Sequence, residues 1–387
     1  MVTPILDLSR TFQRLGSGTT TRIDRVERAY LDEVIARDGW AIISTIRGFL
    51  MFEPDRLDRV RTHLDNKNMD ASDKASTIRA IASTRASDLS LRKLMWRMPN
   101  GVAYFNVGHT NLNRPTMRAL MEMPDNVKAV MINDTIPLDR PEFGGPGVRT
   151  NFIDALDTTI RFANRVIVPS EAVKDSIEAR TSGKGFHPNF IIAPPGVHLG
   201  MQPVKVERSQ KPYFLVLGTI ETRKNQSLML DLWERMSDKV EEDLIPDLRL
   251  VGGVGHGGDS FLERLRRSNV FERTVHYHDN LPDDEMKSFL AGATALLYPS
   301  HSEGFGLAPL EAATMGIPTL SAHLPAVKET LGDKAVYADP DDLYQWFNAI
   351  RDLANEEMAD RAKRGAALMA HPVPTWDAHF ESVFAAL

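Results

Sequence analysis

Short apolar segments alternate with amphipathic helical segments along the whole of this sequence, and this alternation restricts the fold more than any single motif. In the first half, the apolar segments predict strands at Pro4–Leu8, Ala41–Thr45, Val102–Val107, Val127–Asn133, Arg165–Pro169 and Phe190–Ile192. In the second half, they predict strands at Tyr213–Ile220, Leu248–Val251, Thr274–Tyr277, Ala295–Tyr298, Pro318–Ser321 and Ala335–Ala338. Strands that alternate with helices indicate an α/β fold class with parallel sheets covered on both faces.

A segment rich in proline, glycine and charge, residues 193–212, separates the two halves and has the composition of a linker. The sequence therefore predicts two Rossmann-like domains, residues 1–200 and 201–370, whose parallel sheets face each other across a cleft. Residues 371–387 have aromatic side chains at helical spacing, which predicts a final helix that packs back on the first domain. Parallel-sheet domains bind ligands beyond the carboxyl ends of their strands, so we expect the site in the cleft.

The composition excludes several classes of protein. With 42% hydrophobic and 25% charged residues the chain is typical of a soluble globular protein, and no apolar run reaches the length of a transmembrane helix. There is no cysteine, which excludes disulfides, thiolate nucleophiles and cysteine metal sites. No basic helix or zinc-finger pattern indicates nucleic-acid binding. We expect a cytoplasmic protein. The segment LRKLMWRM, residues 91–98, is compatible with peripheral contact at the inner face of a membrane, although a partly buried helix is the commoner structure for such a segment.

The segment HSEGFGLAPLEAATMGIP, residues 301–318, places Glu303 and Glu311 eight positions apart around a Gly-Phe-Gly turn. The turn lies between a predicted strand and a predicted helix, where free backbone N–H groups favour an anion. A carboxylate on each side of a phosphate site suits a nucleoside-diphosphate sugar, with Glu303 accepting hydrogen bonds from sugar hydroxyls and Glu311 from the ribose diol. The alternative is that both glutamates are solvated surface residues.

The segment YFLVLGTIETRKNQ, residues 213–226, carries two cations after another predicted strand. The strand ends at Gly218, and the loop that follows places Arg223 and Lys224 at the same sheet edge as Gly304. Two cations at this edge are able to neutralise a diphosphate. An exposed basic loop is the alternative reading of this segment alone.

Together these motifs resemble the retaining GT4-family glycosyltransferases of the GT-B fold. The resemblance covers most of the chain, because VPSEAVKDSI (168–177), IIAPPGV (191–197) and SAHLPAVKETLGDKAVYADPDD (321–342) follow in the family's order. It implies transfer of a hexose from a nucleoside-diphosphate sugar with retention of configuration and without a metal or other cofactor. We expect a GDP- or UDP-linked donor, with GDP-mannose favoured. The TRIDRVERAY segment resembles sequences from bacterial surface-polysaccharide assembly, which favours a glycan or lipid-linked oligosaccharide as acceptor.

The resemblance also implies roles for individual residues. Glu303, Arg223 and Lys224 would act on the donor sugar and its leaving diphosphate. The implied donor-binding residues are Gly218, Arg223, Lys224, Asn280, Leu281, Glu303, Gly304, Phe305, Gly306, Leu307 and Glu311. On the acceptor side, the family's glycine loop corresponds to Gly16, Ser17 and Gly18.

A further segment of the first half departs from the family at one position. AVMINDTIPLDRPEF, residues 129–143, has Asn133 where the family has a histidine before an aspartate, here Asp134. His109, at the end of another predicted strand, is the candidate to replace that histidine, and Asp134 and His109 complete the predicted catalytic residues. A structural, hydrogen-bonded histidine is the alternative for His109.

Two other patterns have simpler interpretations. Asp339-Pro340-Asp341 is a D-x-D pattern, but it precedes a predicted helix, where aspartates cap, so we expect no metal site. The glycine-rich segment GGVGHGGDS, residues 252–260, is either a phosphate loop or a flexible connection. Two functional alternatives remain open: a nucleotide-sugar 2-epimerase of the same fold class, and a non-catalytic nucleotide-sugar-binding scaffold.

Overall fold

A computed structural model describes residues 2–17, 21–66, 68–86, 101–121, 125–182, 185, 188–197, 211–279 and 281–387. The chain divides into two compact units. The first unit comprises Met1–Leu138, Gly147–Pro195 and Trp376–Leu387, and the second comprises Asp139–Pro146 and Gly196–Thr375. The short segment Asp139–Pro146 thus belongs to the second unit, although the sequence placed it in the domain formed by residues 1–200. The segment 91–98 lies outside the described residues.

The first unit contains one sheet, whose described strands are β1 (Thr3–Asp7), β2 (Trp40–Thr45), β3 (Gly48–Phe52), β4 (Thr84–Ala86), β5 (Val102–Asn106), β6 (Val127–Met131), β7 (Arg165–Val168) and β8 (Phe190–Ile192). Their order is β4-β3-β2-β1-β5-β6-β7-β8. Strand β1 pairs in parallel with β2 on one side and β5 on the other, so the winding direction changes between β1 and β5. Polar groups at the carboxyl ends of these two strands therefore lie at the position where such sheets bind ligands.

One edge of this sheet is antiparallel, which the sequence analysis did not predict. Strand β3 pairs antiparallel with β2 through a tight turn at Ile46 and Arg47, and β4 pairs antiparallel with β3. All five residues of β3 are buried. Its sequence, GFLMF, is a continuous apolar run without alternation, and periodicity alone does not distinguish such a run from part of a helix.

Helices cover both faces of the first sheet. Those assigned to the N-terminal part of the chain are Ser9–Gln13, Arg22–Ala36, Pro54–Asp65, Ala71–Ile81, Arg114–Met121, Ile136–Asp139, Val148–Phe162 and Glu171–Thr181. The last helix of the chain, Trp376–Ala385, also belongs to this unit, with Phe380 and Val383 in its core. The buried imidazole of His379 joins this helix to the rest of the unit, since its Nε2 lies 2.9 Å from the Tyr30 hydroxyl and its Nδ1 lies 3.1 Å from the Ala193 carbonyl oxygen. Burial lowers the pKa of His379 to about 4, so the ring is neutral at pH 7.

The second unit contains a sheet whose described strands are all parallel: β9 (Tyr213–Leu217), β10 (Asp247–Val251), β11 (Val275–His278), β12 (Ala295–Tyr298), β13 (Thr319–Ala322) and β14 (Val336–Ala338). Their order is β11-β10-β9-β12-β13-β14. The winding direction changes between β9 and β12, so the loops that follow these two strands meet at the ligand-binding edge of the sheet.

The helices of the second unit are Gln226–Ser237, Gly258–Arg267, Asp283–Gly292, Leu307–Thr314, Pro325–Leu331, Leu343–Ala354 and Met358–Met369. Short 3₁₀ turns occur at Pro141–Phe143, Thr222–Lys224, Glu242–Leu244 and Gly332–Lys334. The helix Leu343–Ala354 is capped by Asp342, whose carboxylate accepts from the backbone N–H groups of Tyr344 and Gln345. The D-x-D pattern, residues 339–341, therefore precedes a capped helix as predicted. The capping oxygen belongs to Asp342, the residue after the pattern.

No helix in the part of the chain that the structure describes is both long enough and apolar enough to cross a membrane. Nor do the described side chains include a group of three or more histidines and carboxylates arranged to hold a metal ion.

Candidate functional site

The loops after β9 and β12 bring the predicted donor-site charges together. The loop after β9 contains the 3₁₀ turn Thr222–Lys224, and the loop after β12 contains Glu303. The backbone N–H of His301 donates to the Arg223 carbonyl oxygen at 2.9 Å, and the Arg223 guanidinium donates to the Ser302 carbonyl oxygen at 2.6 Å. These two bonds fasten one loop to the other, as the prediction that both lie at one sheet edge requires.

Glu303 is ion-paired with both cations. Its Oε2 lies 3.0 Å from Nη1 of Arg223, and its Oε1 lies 2.5 Å from Nζ of Lys224. The Glu303 side chain is only 5% exposed, whereas those of Arg223 and Lys224 are 17% and 14% exposed. Arg223 also pairs with Glu221. Two cations and two carboxylates therefore form a partly buried cluster, in which Glu303 fixes the position of both cations.

The charges in this cluster shift one another's pKa values. Burial by itself raises the pKa of Glu303, but the neighbouring Lys224 and Arg223 outweigh burial and hold that pKa well below its usual range. Burial opposes charge on Arg223, yet Glu303 and Glu221 raise its pKa further. For Lys224 burial is the larger effect and lowers the pKa. Glu303 is consequently a carboxylate, and Arg223 is a permanent cation held beside it.

The glycine-rich segment 252–260 supports the cationic loop through close backbone packing. The N–H of Ile220 donates to the Gly253 carbonyl at 2.8 Å, and the N–H of Gly255 donates to the Ile220 carbonyl at 2.9 Å. A Cβ atom at Gly252 would lie 2.2 Å from the Gly218 carbonyl oxygen, and Gly252 has a φ of +149°. The segment therefore supports the loop after β9 through backbone contacts, and whether it also contacts a phosphate stays a prediction. Its glycines are explained by this close approach.

The Gly-Phe-Gly turn leads into the helix Leu307–Thr314 as the sequence predicts. Gly306, with a φ of +83°, is the residue before the helix, and this left-handed conformation favours glycine. Phe305 is buried in the core of the second unit and anchors the turn. Glu311 is 4% exposed, so the alternative that it lies on a solvated helix face is wrong. This helix begins at Leu307, four residues after Glu303 in the chain.

Three other residues predicted to bind the donor have different outcomes. Leu281 follows β11 and packs against the apolar cluster that contains Leu290 and Ile317, while Asn280 lies outside the described residues. Leu307, the first residue of its helix, is partly buried. Their contacts with a nucleotide stay predictions.

In the first unit, His109 and Asn133 are hydrogen-bonded to each other at the ends of β5 and β6. The backbone N–H of Asn133 donates to Nε2 of His109 at 3.1 Å, and the Asn133 side-chain amide donates to the Val107 carbonyl at 3.2 Å. Burial lowers the pKa of His109 to about 4, although the charge of Asp134 raises it in part. A neutral imidazole whose Nε2 already accepts a hydrogen bond positions the loop of Asn133, which is the structural alternative.

Asp134 and the glycine loop lie among arginines of the same unit. Asp134 pairs with Arg22 at 3.2 Å, and Asp24 pairs with Arg10 at 3.0 Å. Gly16 has a φ of +83°, and a Cβ there would lie 2.8 Å from the Ala71 side chain, so a tight turn accounts for the glycine.

The rest of the predicted glycine loop is described only in part. The backbone N–H of Ser17 donates to the Arg14 carbonyl at 3.0 Å, whereas Gly18 lies outside the described residues.

Two buried carboxyl groups in the first unit escaped the sequence analysis. Asp7, at the end of β1, is fully buried and accepts from the Tyr104 hydroxyl at 2.8 Å. Glu27, also fully buried, accepts from the backbone N–H of Thr11 at 2.7 Å. The signal for Glu27 was present: it lies three and four positions before Tyr30 and Leu31, on the apolar stripe of its helix.

Comparison with known proteins agrees with this geometry. Residues 201–368 match the family model described as "Glycosyl transferases group 1". The "Serotype-specific mannosyltransferase WbdA" of Escherichia coli is 26% identical over 255 residues, which cover 59% of this chain and 30% of that protein. The "O-antigen chain mannosyltransferase RfbU" of Salmonella typhimurium is 25% identical over 237 residues, covering 61% of this chain and 63% of that protein. The chain thus spans less than a third of the length of WbdA.

A solved structure extends the fold assignment to the complete chain. HepE from Anabaena, solved in complex with UDP-glucose, aligns over 100% of both chains with a TM-score of 0.69 and 14% sequence identity. At this identity the likeness shows the fold alone. Residues 201–368 are therefore similar to the glycosyl transferases group 1 domain, within a chain of two parallel-sheet α/β domains that has the GT-B fold.

Proposed function

We propose that the protein is a retaining hexosyltransferase that moves a hexose from a nucleoside-diphosphate sugar to a glycan or lipid-linked oligosaccharide. GDP-mannose is the favoured donor. The observation that carries the proposal is the cluster of Arg223, Lys224 and Glu303 at the winding switch of the second sheet, where the loop of Glu303 leads into the helix Leu307–Thr314. Fixed cations beside a helix N-terminus suit a diphosphate.

In this proposal the second unit binds the donor. Arg223 and Lys224 contact the diphosphate, and the backbone of Gly304–Gly306 approaches the sugar and phosphate oxygens. Glu311, buried in the helix that follows, accepts hydrogen bonds from the ribose diol, and the loop of Asn280 and Leu281 contacts the base. Each charge-assisted hydrogen bond of this kind contributes about 1.5–3 kcal/mol.

The proposed chemistry needs positioned charge more than a protein nucleophile. The bond between the anomeric carbon and the diphosphate breaks, and the acceptor hydroxyl forms its bond on the same face of the sugar. The acceptor proton passes to the departing phosphate. Negative charge grows on the diphosphate as it leaves, so cations held by Glu303 and Glu221 stabilise the transition state without having to reorganise. No metal ion is required in this scheme.

The acceptor belongs to the first unit in this proposal. Asp134, Asn133 and the loop of Gly16, Ser17 and Gly18 line the acceptor side. His109 acts there through its hydrogen bond to Asn133. We place the enzyme in the cytoplasm, with peripheral membrane contact where its acceptor is lipid-linked.

Two kinds of relative support the choice of substrates. WbdA and RfbU are named as mannosyltransferases, and RfbU as one that acts on the O-antigen chain, which favours a mannose donor and a surface-glycan acceptor. HepE was solved with UDP-glucose, which supports a nucleoside-diphosphate sugar as the donor class.

A thermal-shift screen with GDP-, UDP-, ADP- and TDP-sugars tests the donor class, because a bound donor raises the Tm according to its affinity and concentration. We expect GDP-mannose to give the largest shift. The double variant Arg223→Ala/Lys224→Ala should lose most of the shift with a nucleoside diphosphate and little of any shift with the free nucleoside. Arg267→Ala, which removes a cation that is 82% exposed, is the matched control. Equal losses of thermal shift with the nucleoside diphosphate and with the free nucleoside would show that the diphosphate does not bind at this loop.

Incubation of the donor alone separates the alternatives. Slow hydrolysis, or nucleotide release that depends on an added acceptor, supports transfer. Interconversion of sugar epimers would identify a 2-epimerase instead, and the absence of any thermal shift across all donors would leave a scaffold without this activity.

A further inference from the structure

The first unit contains a buried carboxyl group that its proposed acceptor role does not yet use. Glu27 lies on the helix Arg22–Ala36 with none of its surface exposed. Its Oε2 accepts from the backbone N–H of Thr11 at 2.7 Å and also from the Thr11 hydroxyl. Among the described residues, its Oε1 has no hydrogen-bond partner and is equally buried.

The bond to Thr11 meets a structural need of the short helix Ser9–Gln13. The first N–H groups of a helix have no partner within the helix. The residue before this helix, Leu8, provides no side-chain cap. Instead the carboxylate of Asp7 accepts from the Ser9 N–H at 3.0 Å, and Glu27 accepts from the Thr11 N–H. Glu27 therefore caps a helix from a different part of the chain.

The space around Glu27 leaves little room for a second arrangement. A Cβ atom at Gly108 would lie 2.6 Å from Oε1 of Glu27 and 2.8 Å from Cβ of Arg10. The loop after β5 thus packs directly over the carboxyl group, and only glycine permits this approach.

We propose that Glu27 is a positioning residue whose buried carboxyl group holds the segment from Ser9 to Ser17 in place through Thr11. The position of this segment as the acceptor side rests on the proposed function. The helix Ser9–Gln13 continues through Arg14 into the turn at Gly16, and the Ser17 N–H donates to the Arg14 carbonyl at 3.0 Å. Releasing Thr11 loosens the start of this connected segment.

The surroundings of Glu27 favour the neutral form. Burial raises its pKa to about 8, the hydrogen bonds from Thr11 lower the pKa in part, and the nearby carboxyl of Asp7 raises it again. Arg10 is the facing cation, and it lowers the pKa only weakly because it pairs with Asp24. His109, which follows Gly108, is itself neutral because burial lowers its pKa to about 4.

The raised pKa of Glu27 makes the stability of the folded protein depend on pH. A carboxyl group with a raised pKa holds its proton in the folded state over a pH range in which the unfolded chain has lost it. Stability from this group therefore falls as the pH rises from about 4.5 to about 8, and is constant above that range. At alkaline pH, the carboxylate accepts more strongly from Thr11, but its burial is unfavourable, so a local opening that hydrates Glu27 and releases Thr11 costs less free energy than at acidic pH.

The test compares wild type, Glu27→Gln and Glu27→Ala, with Asp32→Asn as a control on the exposed side of the same helix. Glutamine keeps the acceptor oxygen for Thr11 and cannot ionise. We expect the Tm of Glu27→Gln minus that of wild type to increase between pH 5 and pH 8, and the corresponding Asp32→Asn difference to stay flat. If the Tm of Glu27→Gln minus that of wild type does not change with pH, or decreases, then Glu27 is not protonated in the folded protein.

Hydrogen exchange on peptides covering residues 9–17 tests the positioning role and needs no turnover. After correction for intrinsic exchange, protection in wild type should fall between pH 6 and pH 9. Glu27→Gln should keep its protection at both pH values, and Glu27→Ala should lose it at both. Equal protection in Glu27→Ala and wild type at pH 6 overturns the positioning role.

Kinetics then connect the segment to the acceptor. We expect Glu27→Ala to raise the KM for the acceptor about tenfold while the thermal shift with the donor, bound by the other unit, is unchanged; one hydrogen bond of about 1.4 kcal/mol corresponds to this factor. A rise in the donor KM instead would contradict the acceptor assignment. If no nucleotide sugar is turned over, the proposed function fails, and the stability and exchange results still decide the role of Glu27.

Discussion

Replacing Glu303 with glutamine should destabilise the second unit strongly, because it leaves the charges of Arg223 and Lys224 partly buried without their shared carboxylate. Removing one partner of a buried ion pair costs about 3–5 kcal/mol. Arg223 retains its ion pair with Glu221 and its bond to the Ser302 carbonyl, whereas the Lys224 ammonium group retains the Tyr298 ring, 5.0 Å from its Nζ, and an attraction to Glu221 without a direct ion pair among the described contacts. The loss is therefore concentrated on Lys224.

An upper limit comes from the lysine itself. Once its carboxylate partner is removed, Lys224 avoids being a buried charge if it loses its proton. Deprotonating a lysine with an ordinary pKa of about 10.4 at pH 7 costs about 4.6 kcal/mol, at 1.36 kcal/mol for each pH unit. Because Arg223 remains compensated, we expect a loss near the lower end, about 3 kcal/mol at pH 7.

Hydrogen exchange on peptides from β9 and β12 measures this loss within the second unit, which matters because a chain of two units need not unfold in one step. Glu242→Gln, which breaks the exposed pair with Arg273, is the control and should leave the exchange free energy unchanged. The difference between wild type and Glu303→Gln should be largest at neutral pH and shrink as the pH falls below about 4.5, since a lowered carboxyl pKa contributes stability only above the unfolded value. A loss below about 1 kcal/mol at pH 7, the range of surface pairs, would refute the argument.

Three other perturbations have defined outcomes. Gly252→Ala should destabilise the second unit and weaken nucleoside-diphosphate binding, because the new Cβ would lie 2.2 Å from the Gly218 carbonyl; a thermal shift equal to wild type would contradict this. Tyr30→Phe leaves the buried Nε2 of His379 without its 2.9 Å partner and should cost about 1–3 kcal/mol in urea unfolding, whereas Tyr344→Phe, 72% exposed, should cost nothing measurable. Sugar transfer should continue in excess EDTA, and strict dependence on added metal would contradict the proposed mechanism.

The sequence predicts much of this fold because its strands are short apolar runs between helices of clear period. Ala295–Tyr298 and Phe190–Ile192 match the observed strands in full. The antiparallel strands β3 and β4 were missed for different reasons. The first follows β2 after a two-residue turn and so falls outside the alternation of strands with helices, and the second has only three residues, Thr84–Ala86.

The sequence predicted which charged residues come together at the candidate donor site, but not which of them form ion pairs. Strand ends at one sheet edge bring Arg223, Lys224 and Glu303 together, and this follows from topology alone. Which charge neutralises which depends on side-chain reach in the folded loops, and sequence spacing contains no such information. The Glu27–Thr11 bond was unpredictable for the same reason, although a glutamate on the apolar stripe of a helix was a visible signal.

The placement of the helix Trp376–Ala385 has a consequence for synthesis. Phe380 and Val383 complete the core of the first unit, yet the ribosome reaches them only after the whole of the second unit has been translated. The core of the first unit therefore stays incomplete until the second unit has been synthesised. This differs from the usual order, in which the N-terminal domain folds first during synthesis. Deleting residues 376–387 should therefore leave apolar surface of the first unit exposed to chaperones and proteases.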